Sequence, residues 1–148
     1  MTEQIVCVVF GHPQGKGSKR AFPINRAGGS QSIVLVDSNR NAKPWQTRVT
    51  ETLRAKYDGP LLRDAVAVEL DFCFARPRSH YGTGRNAGRV RDSAPLEMTK
   101  MPDVDKLCRL ALDSLVGVVI ADDAQVVRLT ARKRYSEPER LEARVSEI

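Results

Sequence analysis

The sequence predicts a single α+β domain with a mixed β-sheet and two main helices. Two hydrophobic patterns predict it: alternation with a period of two marks the strands, and apolar positions three and four apart mark the helices. The 148 residues fit one domain, 1–148, with its own core. No apolar run approaches the roughly 20 residues of a membrane span, and no signal peptide is evident, so we expect a cytoplasmic protein without membrane contact.

The amino-terminal part predicts two strands, a loop and a helix. Residues 4–10 are apolar on both faces, which is typical of a central strand, and residues 33–36 form a second short strand. Between them, residues 11–32 hold several glycines and no acid, which predicts a flexible basic loop. A helix begins near Pro44, with Trp45 predicted to lie in the core.

The carboxy-terminal part predicts the remaining elements. Residues 65–75 alternate strictly and form the clearest strand of the chain. A long basic loop without periodicity occupies residues 76–101, and an amphipathic helix then ends at Gly117. Residues 127–134, with one buried face, and 141–146 are predicted to pair as a hairpin.

An acidic stretch lies inside this basic protein. Residues 103–123 hold five acids against two bases, a local charge of −3, whereas the whole chain has a net charge of +6. Carboxylates suit a hard divalent cation, and surrounding Lys and Arg side chains suit a polyanion. The pattern is typical of a metal-dependent nuclease.

The acids of this stretch have structural explanations as well. If the backbone is extended after Pro102, Asp103 and Asp105 project to the same side. An apolar strand at 118–120 would return Asp122 and Asp123 to the start of the helix. Asp103 could instead be a plain helix cap, and Arg109 could simply pair with Asp113 one turn along the helix.

The predicted DNA contacts are basic residues of the two loops, about 11–32 and 76–101, and of one strand. They are Lys16, Lys19, Arg20, Arg76, Arg78, Arg85, Arg89, Arg91, Lys100 and Arg132.

Three segments of the acidic region resemble the signature of RusA-type Holliday-junction resolvases. They are Pro102-Asp103-Val104-Asp105-Lys106-Leu107, Leu112-Asp113-Ser114-Leu115-Val116-Gly117-Val118-Val119 and Asp122-Asp123-Ala124-Gln125-Val126-Val127. The resemblance implies a homodimeric, Mg²⁺-dependent endodeoxyribonuclease that makes paired nicks in four-way DNA junctions. It also implies that Mn²⁺ can substitute and that no small-molecule cofactor is needed.

The resemblance also implies roles for individual residues. Asp103, Asp105 and Asp123 match the family's catalytic metal-binding aspartates, and Asp122 matches the neighbouring acid that completes the metal-binding set. Arg109 stands where the family usually has a functional lysine, and Lys106 replaces an asparagine. We include both among the catalytic residues, because either can offer positive charge to a phosphate; arginine cannot realistically release a proton, so its role would be electrostatic.

Two other functions remain open from the sequence. The substitutions at Lys106 and Arg109 are compatible with a structure-selective DNA-binding protein that no longer cleaves. Alternatively, the aspartates merely cap and turn a structural module. The three cysteines, Cys7, Cys73 and Cys108, are predicted to be buried reduced thiols rather than a zinc site.

Overall fold

The computed structural model describes residues 3–148; the side chains of Lys19, Arg20, Val36 and Asp37 lie outside that description. In chain order the elements are β1 (Gln4–Phe10), β2 (Lys19–Asn25), β3 (Gln31–Asp37), α1 (Ala42–Lys56), β4 (Val66–Phe74), α2 (Val104–Leu115), β5 (Val126–Tyr135) and β6 (Arg140–Glu147). Short 3-10 turns lie at Arg78–His80, Gly84–Asn86 and Asp123–Gln125.

Four of the strands form one mixed sheet in the order β1-β6-β4-β5. β6 runs antiparallel to both β1 and β4, whereas β5 runs parallel to β4. A parallel pair cannot be joined by a tight turn, so the chain crosses over between β4 and β5, and α2 belongs to that crossover. The predicted α+β fold with a mixed sheet and two helices is confirmed.

The core lies between the two helices and one face of this sheet. Facing side chains in register, such as Cys7, Ala143 and Leu70 on neighbouring strands, are all buried. α1 adds Trp45 at 5% exposure, as predicted, and α2 adds Leu107 and Leu110 at 0%. The spacing of these apolar positions places one side of each helix on the sheet, so the polar side of α2 is left for other contacts.

The position of β1 differs from the prediction. In the described residues β1 pairs with β6 alone, so it is an edge strand rather than a central one. Its outward side chains Val6, Val8 and Phe10 are exposed. A run that is apolar on both faces fits either position, because periodicity reports the character of the two faces and not the number of neighbouring strands.

The predicted hairpin of β5 and β6 is wrong, because β4 lies between them. Neighbouring strands lie about 4.8 Å apart, so the turn at 136–139 can step across one strand. As an edge strand, β5 also lacks the predicted buried face: Val127 and Leu129 are exposed at 63% and 42%. β4, which is buried except at Glu69 and Asp71, lies between β6 and β5 instead.

The predicted loop at 11–32 is divided by structure. Residues 19–25 form β2, which pairs with β3 as a separate two-stranded sheet that we call the arm. Residues 11–18 are held against the domain rather than free, as described below. The predicted strand at 118–120 is also wrong: Gly117, at φ +83°, begins a turn, and Ile120 after it forms two isolated bridges, one to Leu62 and one to Val116.

The three cysteines are buried and free, as predicted. Burial is the main cause that raises the pKa of each thiol above its ordinary value. Near neutral pH the thiols are therefore protonated and act as small apolar side chains.

Candidate active site

Helix α2 presents the first acids of the candidate site. Asp103 occupies its N-cap position in an extended conformation, but its side chain makes no capping hydrogen bond, and Asp105 follows in the first helical turn. The expectation of two carboxylates two apart on extended backbone is therefore wrong, since the helix begins at Val104. Asp103 stands at the N-cap, where a negative charge favours the helix dipole, but it is not a hydrogen-bonding cap, and its carboxylate lies 3.6 Å from the Lys106 Nζ atom.

Asp122 and Asp123 lie on a tight turn that a single glutamine holds. The Gln125 carbonyl oxygen accepts hydrogen bonds from the Ala121 and Asp122 backbone N–H groups, both at 2.8 Å. Its amide nitrogen donates to the carbonyl oxygens of Leu62 and Asp64, both at 2.9 Å. The turn is thus fixed to the segment before β4. The spacing of Asp122 and Gln125 is that of a capping box, which is a local signal for the first pair of hydrogen bonds, whereas no local pattern indicates the bonds to Leu62 and Asp64.

The two acids of the turn differ in their surroundings. The Asp122 carboxylate accepts from the Ala124 N–H at 2.9 Å, and this hydrogen bond is the main cause that lowers the pKa of Asp122. The hydrogen bond with Asp122 is the main cause that raises the pKa of Asp123, and the nearby Asp113 charge acts in the same direction. Asp122 is therefore a capping residue of the turn. Asp123 lies close to two other carboxylates, those of Asp122 and Asp113.

A cleft of about 400 Å³ joins this turn to α2 and to the loop after β1. Asp123 lines it from the turn, Arg109 and Asp113 line it from α2, and Lys16 lines it from the loop. Lys16 and Asp113 form an ion pair with 2.9 Å between Nζ and Oδ2. Residues that are more than 100 positions apart in the sequence thus place two cations and two carboxylates around one space.

The loop that carries Lys16 is pinned to α2. The Lys16 N–H donates to the Lys106 carbonyl oxygen at 3.1 Å. A Cβ at Gly15 would lie 2.9 Å from the Lys106 Cβ, so the backbone approaches the helix as closely as only glycine allows. On the other side, the Asn39 amide donates to the Gly15 carbonyl oxygen at 2.8 Å.

The two basic residues of α2, Lys106 and Arg109, have different surroundings. Lys106 is half-buried beside Asp103, and together with Lys16 it lines a second cleft of about 410 Å³ that adjoins the first. Arg109 is exposed, and within the described chain it forms no ion pair. Its expected i,i+4 pair with Asp113 is absent there, because Asp113 pairs with Lys16 instead.

Lys133 has a positioning role that no sequence pattern predicted. Its Nζ atom reaches from β5 to the carbonyl oxygens of Lys100, at 2.7 Å, and Pro102, at 2.9 Å. These two carbonyls belong to the segment that immediately precedes Asp103. Strand β5 therefore holds the end of the 76–101 loop next to Asp103, the first acid of the candidate site.

The predicted aspartates do not converge as closely as another group does. In the described part of the chain, Asp71, Cys73 and Glu142 form the one set of three candidate ligands whose atoms lie within 4.8 Å of one another. This set lies on the outer face of the sheet and is already neutralised: Arg134 contacts Asp71 at 2.9 Å and Glu142 at 3.2 Å, and Arg140 contacts Glu142 at 3.1 Å. It is an ion-pair network rather than a second metal centre.

The predicted DNA contacts fall into four groups. Arg78, Arg85, Arg89, Arg91 and Lys100 are exposed on the long loop. Arg76 and Arg132 are engaged within the protein: the Arg76 guanidinium donates to the Pro95 carbonyl oxygen at 2.8 Å and stacks on the Tyr135 ring, and Arg132 pairs with Asp71 at 3.0 Å. The side chains of Lys19 and Arg20 lie outside the described residues, and Lys16 lies in the cleft.

Carboxylates and cations that share a cleft, on a chain of net charge +6, are typical of the class of proteins that act on a polyanionic substrate. Residues 13–146 match the family described as Endodeoxyribonuclease RusA. The chain therefore belongs to the RusA endodeoxyribonuclease family, whose members are divalent-metal-dependent and act on branched DNA junctions. No curated relative matches the chain.

The match begins at Pro13, so it includes the loop that carries Lys16 as well as the acidic region. In the described residues no helix is long and apolar enough to cross a membrane.

Proposed function

We propose that this chain is a Mg²⁺-dependent endonuclease that resolves four-way DNA junctions by paired nicking. The observation that carries the proposal is the cleft in which Asp123, from the turn after α2, meets Arg109 and Lys16. Cleavage of a phosphodiester needs carboxylates for a metal ion and cations for the phosphate, and this cleft brings both together. The RusA match supports the same activity.

The donor set suits the proposed metal. Asp103, Asp105 and Asp123 are exposed carboxylates, and oxygen is the ligand that Mg²⁺ prefers in proteins. Asp123 stands beside Asp122 and Asp113, and such crowding of negative charge is relieved by a divalent cation. When bound, the ion would activate a water molecule and stabilise the developing charge on the phosphate oxygens; Mn²⁺ would serve in its place.

The chain's own residues have separable roles in this proposal. Asp103, Asp105 and Asp123 are the metal ligands, with Asp122 beside them as the cap that shapes the turn. Lys106 and Arg109 neutralise phosphate charge, and Arg109 does so without proton transfer because a guanidinium stays protonated. Gln125 and Lys133 are positioning residues that hold the two acidic segments.

A homodimer is part of the proposal, because paired nicks in a two-fold junction need two sites. The arm supports it: Phe22, Ile24, Ile33 and Leu35 are exposed there at 45–75%. A two-stranded hairpin is marginally stable alone in water, so we infer that a second copy of the chain covers it. Sedimentation of the wild type and of Ile33→Lys with Leu35→Lys tests this: a dimeric wild type and a folded monomeric variant are expected, and an unchanged dimer would place the interface elsewhere.

The test of the main proposal is incubation of the purified protein with a labelled synthetic four-way junction. Mg²⁺-dependent nicks at symmetric positions are expected, with no nicks in EDTA and far fewer in a linear duplex of the same sequence. Asp123→Asn serves as the inactive control. Binding of the junction without any nicking in Mg²⁺ or Mn²⁺ would favour the alternative function, a structure-selective DNA-binding protein without turnover.

We place this activity in the cytoplasm of a bacterial or phage-infected cell, where such DNA junctions form. The DNA contacts in the proposal are the exposed loop residues Arg78, Arg85, Arg89, Arg91 and Lys100, together with Lys16. Lys19 and Arg20 remain predicted contacts on the arm. Arg76 and Arg132 would first have to exchange their present partners for phosphate.

A further inference from the structure

The loop after β1 brings an ammonium group into the candidate active site. Lys16 lines both adjoining clefts, one with Arg109, Asp113 and Asp123 and the other with Asp103 and Lys106. Its side chain is 24% exposed, so it lies largely inside the space between loop and helix. It is therefore the one described cation that borders both acidic segments.

The backbone around Lys16 is held at several points. Upstream, the Gly11 N–H donates to the Glu139 carbonyl oxygen at 3.0 Å, and His12 contacts the Glu139 carboxylate at 2.8 Å. At Lys16 itself the N–H binds the Lys106 carbonyl oxygen, and downstream the Ser38 N–H donates to the Ser18 carbonyl oxygen at 2.9 Å. A solvated mobile loop would not be tied at each of these positions, so the ammonium is presented from a defined backbone.

The ion pair with Asp113 leaves most of this ammonium available. An ammonium has three donors, and in the described residues Lys16 uses one ion-pair partner, Asp113, at 2.9 Å. Asp113 is itself 42% exposed, so the pair faces the solvent-filled side of the cleft. A phosphate oxygen entering the cleft would thus meet free donor positions on an ammonium whose direction Asp113 fixes.

The cations of α2 do not supply the same group. Lys106 lines the cleft of Asp103 but not the cleft of Asp123, and Arg109 carries a guanidinium rather than an ammonium. We propose that Lys16 contacts the phosphate at the bond to be cleaved and that Asp113 is the positioning residue that aims Lys16 into the cleft. This inference rests on the proposed function, because it assigns the phosphate in the cleft to the nicked bond.

The first test uses junction binding in EDTA, where no cleavage occurs. Each phosphate that a protein cation neutralises contributes about −0.9 to the slope of log K against log salt. Lys16→Ala should reduce the magnitude of the slope by about one such contribution, Lys16→Arg should restore it, and Lys43→Ala on the exposed start of α1 should leave it unchanged. Equal slopes for Lys16→Ala and the wild type would overturn the proposal.

The second test asks which phosphate is contacted. The phosphate at the bond that the wild type nicks is replaced by an uncharged methylphosphonate. The affinities of the wild type and of Lys16→Ala are then measured for this modified junction and for the unmodified one. The wild type should lose roughly tenfold in affinity, the usual size of one hydrogen bond to a charged group, and Lys16→Ala should lose almost nothing further. Equal losses in both proteins would show that Lys16 contacts some other phosphate and would also overturn the proposal.

Asp113→Asn separates positioning from structural anchoring. It should keep the salt slope, because Lys16 keeps its charge, yet lower the nicking rate, because the ammonium is no longer aimed. A lower melting temperature with an unchanged nicking rate would show that the Lys16–Asp113 pair only anchors the loop, and would overturn the positioning role of Asp113. If the wild type binds the junction but never nicks it, the proposed nuclease function and this phosphate assignment both fail, whereas wild-type nicking with an unaltered Lys16→Ala slope refutes this inference alone.

Discussion

Asp103, Asp105 and Asp123 are the proposed metal ligands, and they differ in their contacts. Asp103 makes no capping hydrogen bond but pairs with Lys106 at 3.6 Å, whereas Asp105 and Asp123 form no ion pair in the described residues. Asp122 differs, because its carboxylate caps the turn. Asp123 and Asp103 each line one of the two adjoining clefts, and Asp105 is an exposed carboxylate in the first turn of α2.

Replacing Asp103, Asp105 or Asp123 singly by asparagine should reduce nicking by roughly a hundredfold or more while junction binding stays intact or tightens. Each change removes a metal-binding charge and some repulsion of the phosphate. Single-turnover nicking and a gel-shift titration in EDTA measure the two effects. A variant that nicks at the wild-type rate would remove its residue from the site.

Lys106 and Arg109 lie three positions apart on one side of α2, so both can neutralise the charge of the same phosphate. Alanine at either position should cost a few-fold in nicking, and the double change should cost far more than the product of the two, since coupled groups are not additive. Nicking rates and melting temperatures of both singles and the double measure this. Strictly additive, small effects would rule out a shared electrostatic role.

Gln125 holds the turn that carries two of the acids. Gln125→Leu keeps a similar volume but removes four hydrogen bonds. The Ala121 N–H and the Leu62 carbonyl oxygen keep their mutual hydrogen bond at 3.2 Å, whereas the Asp122 N–H and the Asp64 carbonyl oxygen lose the Gln125 side chain as their partner. A loss of about 1–3 kcal/mol in the free energy of unfolding is expected, with nicking reduced further than stability explains because Asp123 is displaced. Gln46→Leu on α1 is the matched control; equal effects from the two would deny Gln125 a positioning role.

Among the contacts between elements, the one that joins the Lys16 loop to α2 depends on Gly15. In Gly15→Ala the new Cβ would lie 2.9 Å from the Lys106 Cβ and 3.2 Å from the Leu107 backbone nitrogen, so the loop must move off the helix. Overpacking of this kind costs about 1–3 kcal/mol. The melting temperature and the nicking rate should both fall.

Gly88→Ala is the control for that change, because nothing lies within 4 Å of its added Cβ and its backbone is not left-handed. Its melting temperature should match that of the wild type. If Gly15→Ala behaved like Gly88→Ala, the loop would not depend on close approach to α2.

The sequence predicted where helices and strands lie along the chain better than which of them are neighbours in the fold. Apolar spacing located α1, β4 and α2, because a buried face imposes periodicity on each element by itself. The pairing of β5 with β4 rather than with β6 could not be predicted that way, because the pattern within one strand does not report which strands lie beside it. The same limit hid the contact of Lys16 with Asp113, which folding alone brings together.

At the scale of the whole molecule, the acidic cleft is embedded in a surface with excess positive charge. Within the long loop, Arg85, Arg89 and Arg91 are exposed, and only the Arg91 guanidinium has a described partner, the Tyr81 carbonyl oxygen at 2.7 Å. The backbone of this loop is organised by hydrogen bonds such as that from the Gly82 N–H to the Arg89 carbonyl oxygen at 2.9 Å. An ordered loop with exposed guanidinium groups can contact DNA phosphates at a small entropic cost.

Junction affinity should therefore fall steeply with salt, and neutralising Arg85, Arg89 and Arg91 together should flatten that dependence. Each lost phosphate contact changes the slope of log K against log salt by about 0.9. Neutralising Arg54, Lys56 and Arg63, which are exposed on and after α1, removes the same formal charge and is the matched control. Because both triple variants carry the same net charge, a slope that flattens only for the loop variant locates the DNA on that loop. Equal slopes in the wild type and the loop variant would leave the 76–101 segment without a role in DNA binding.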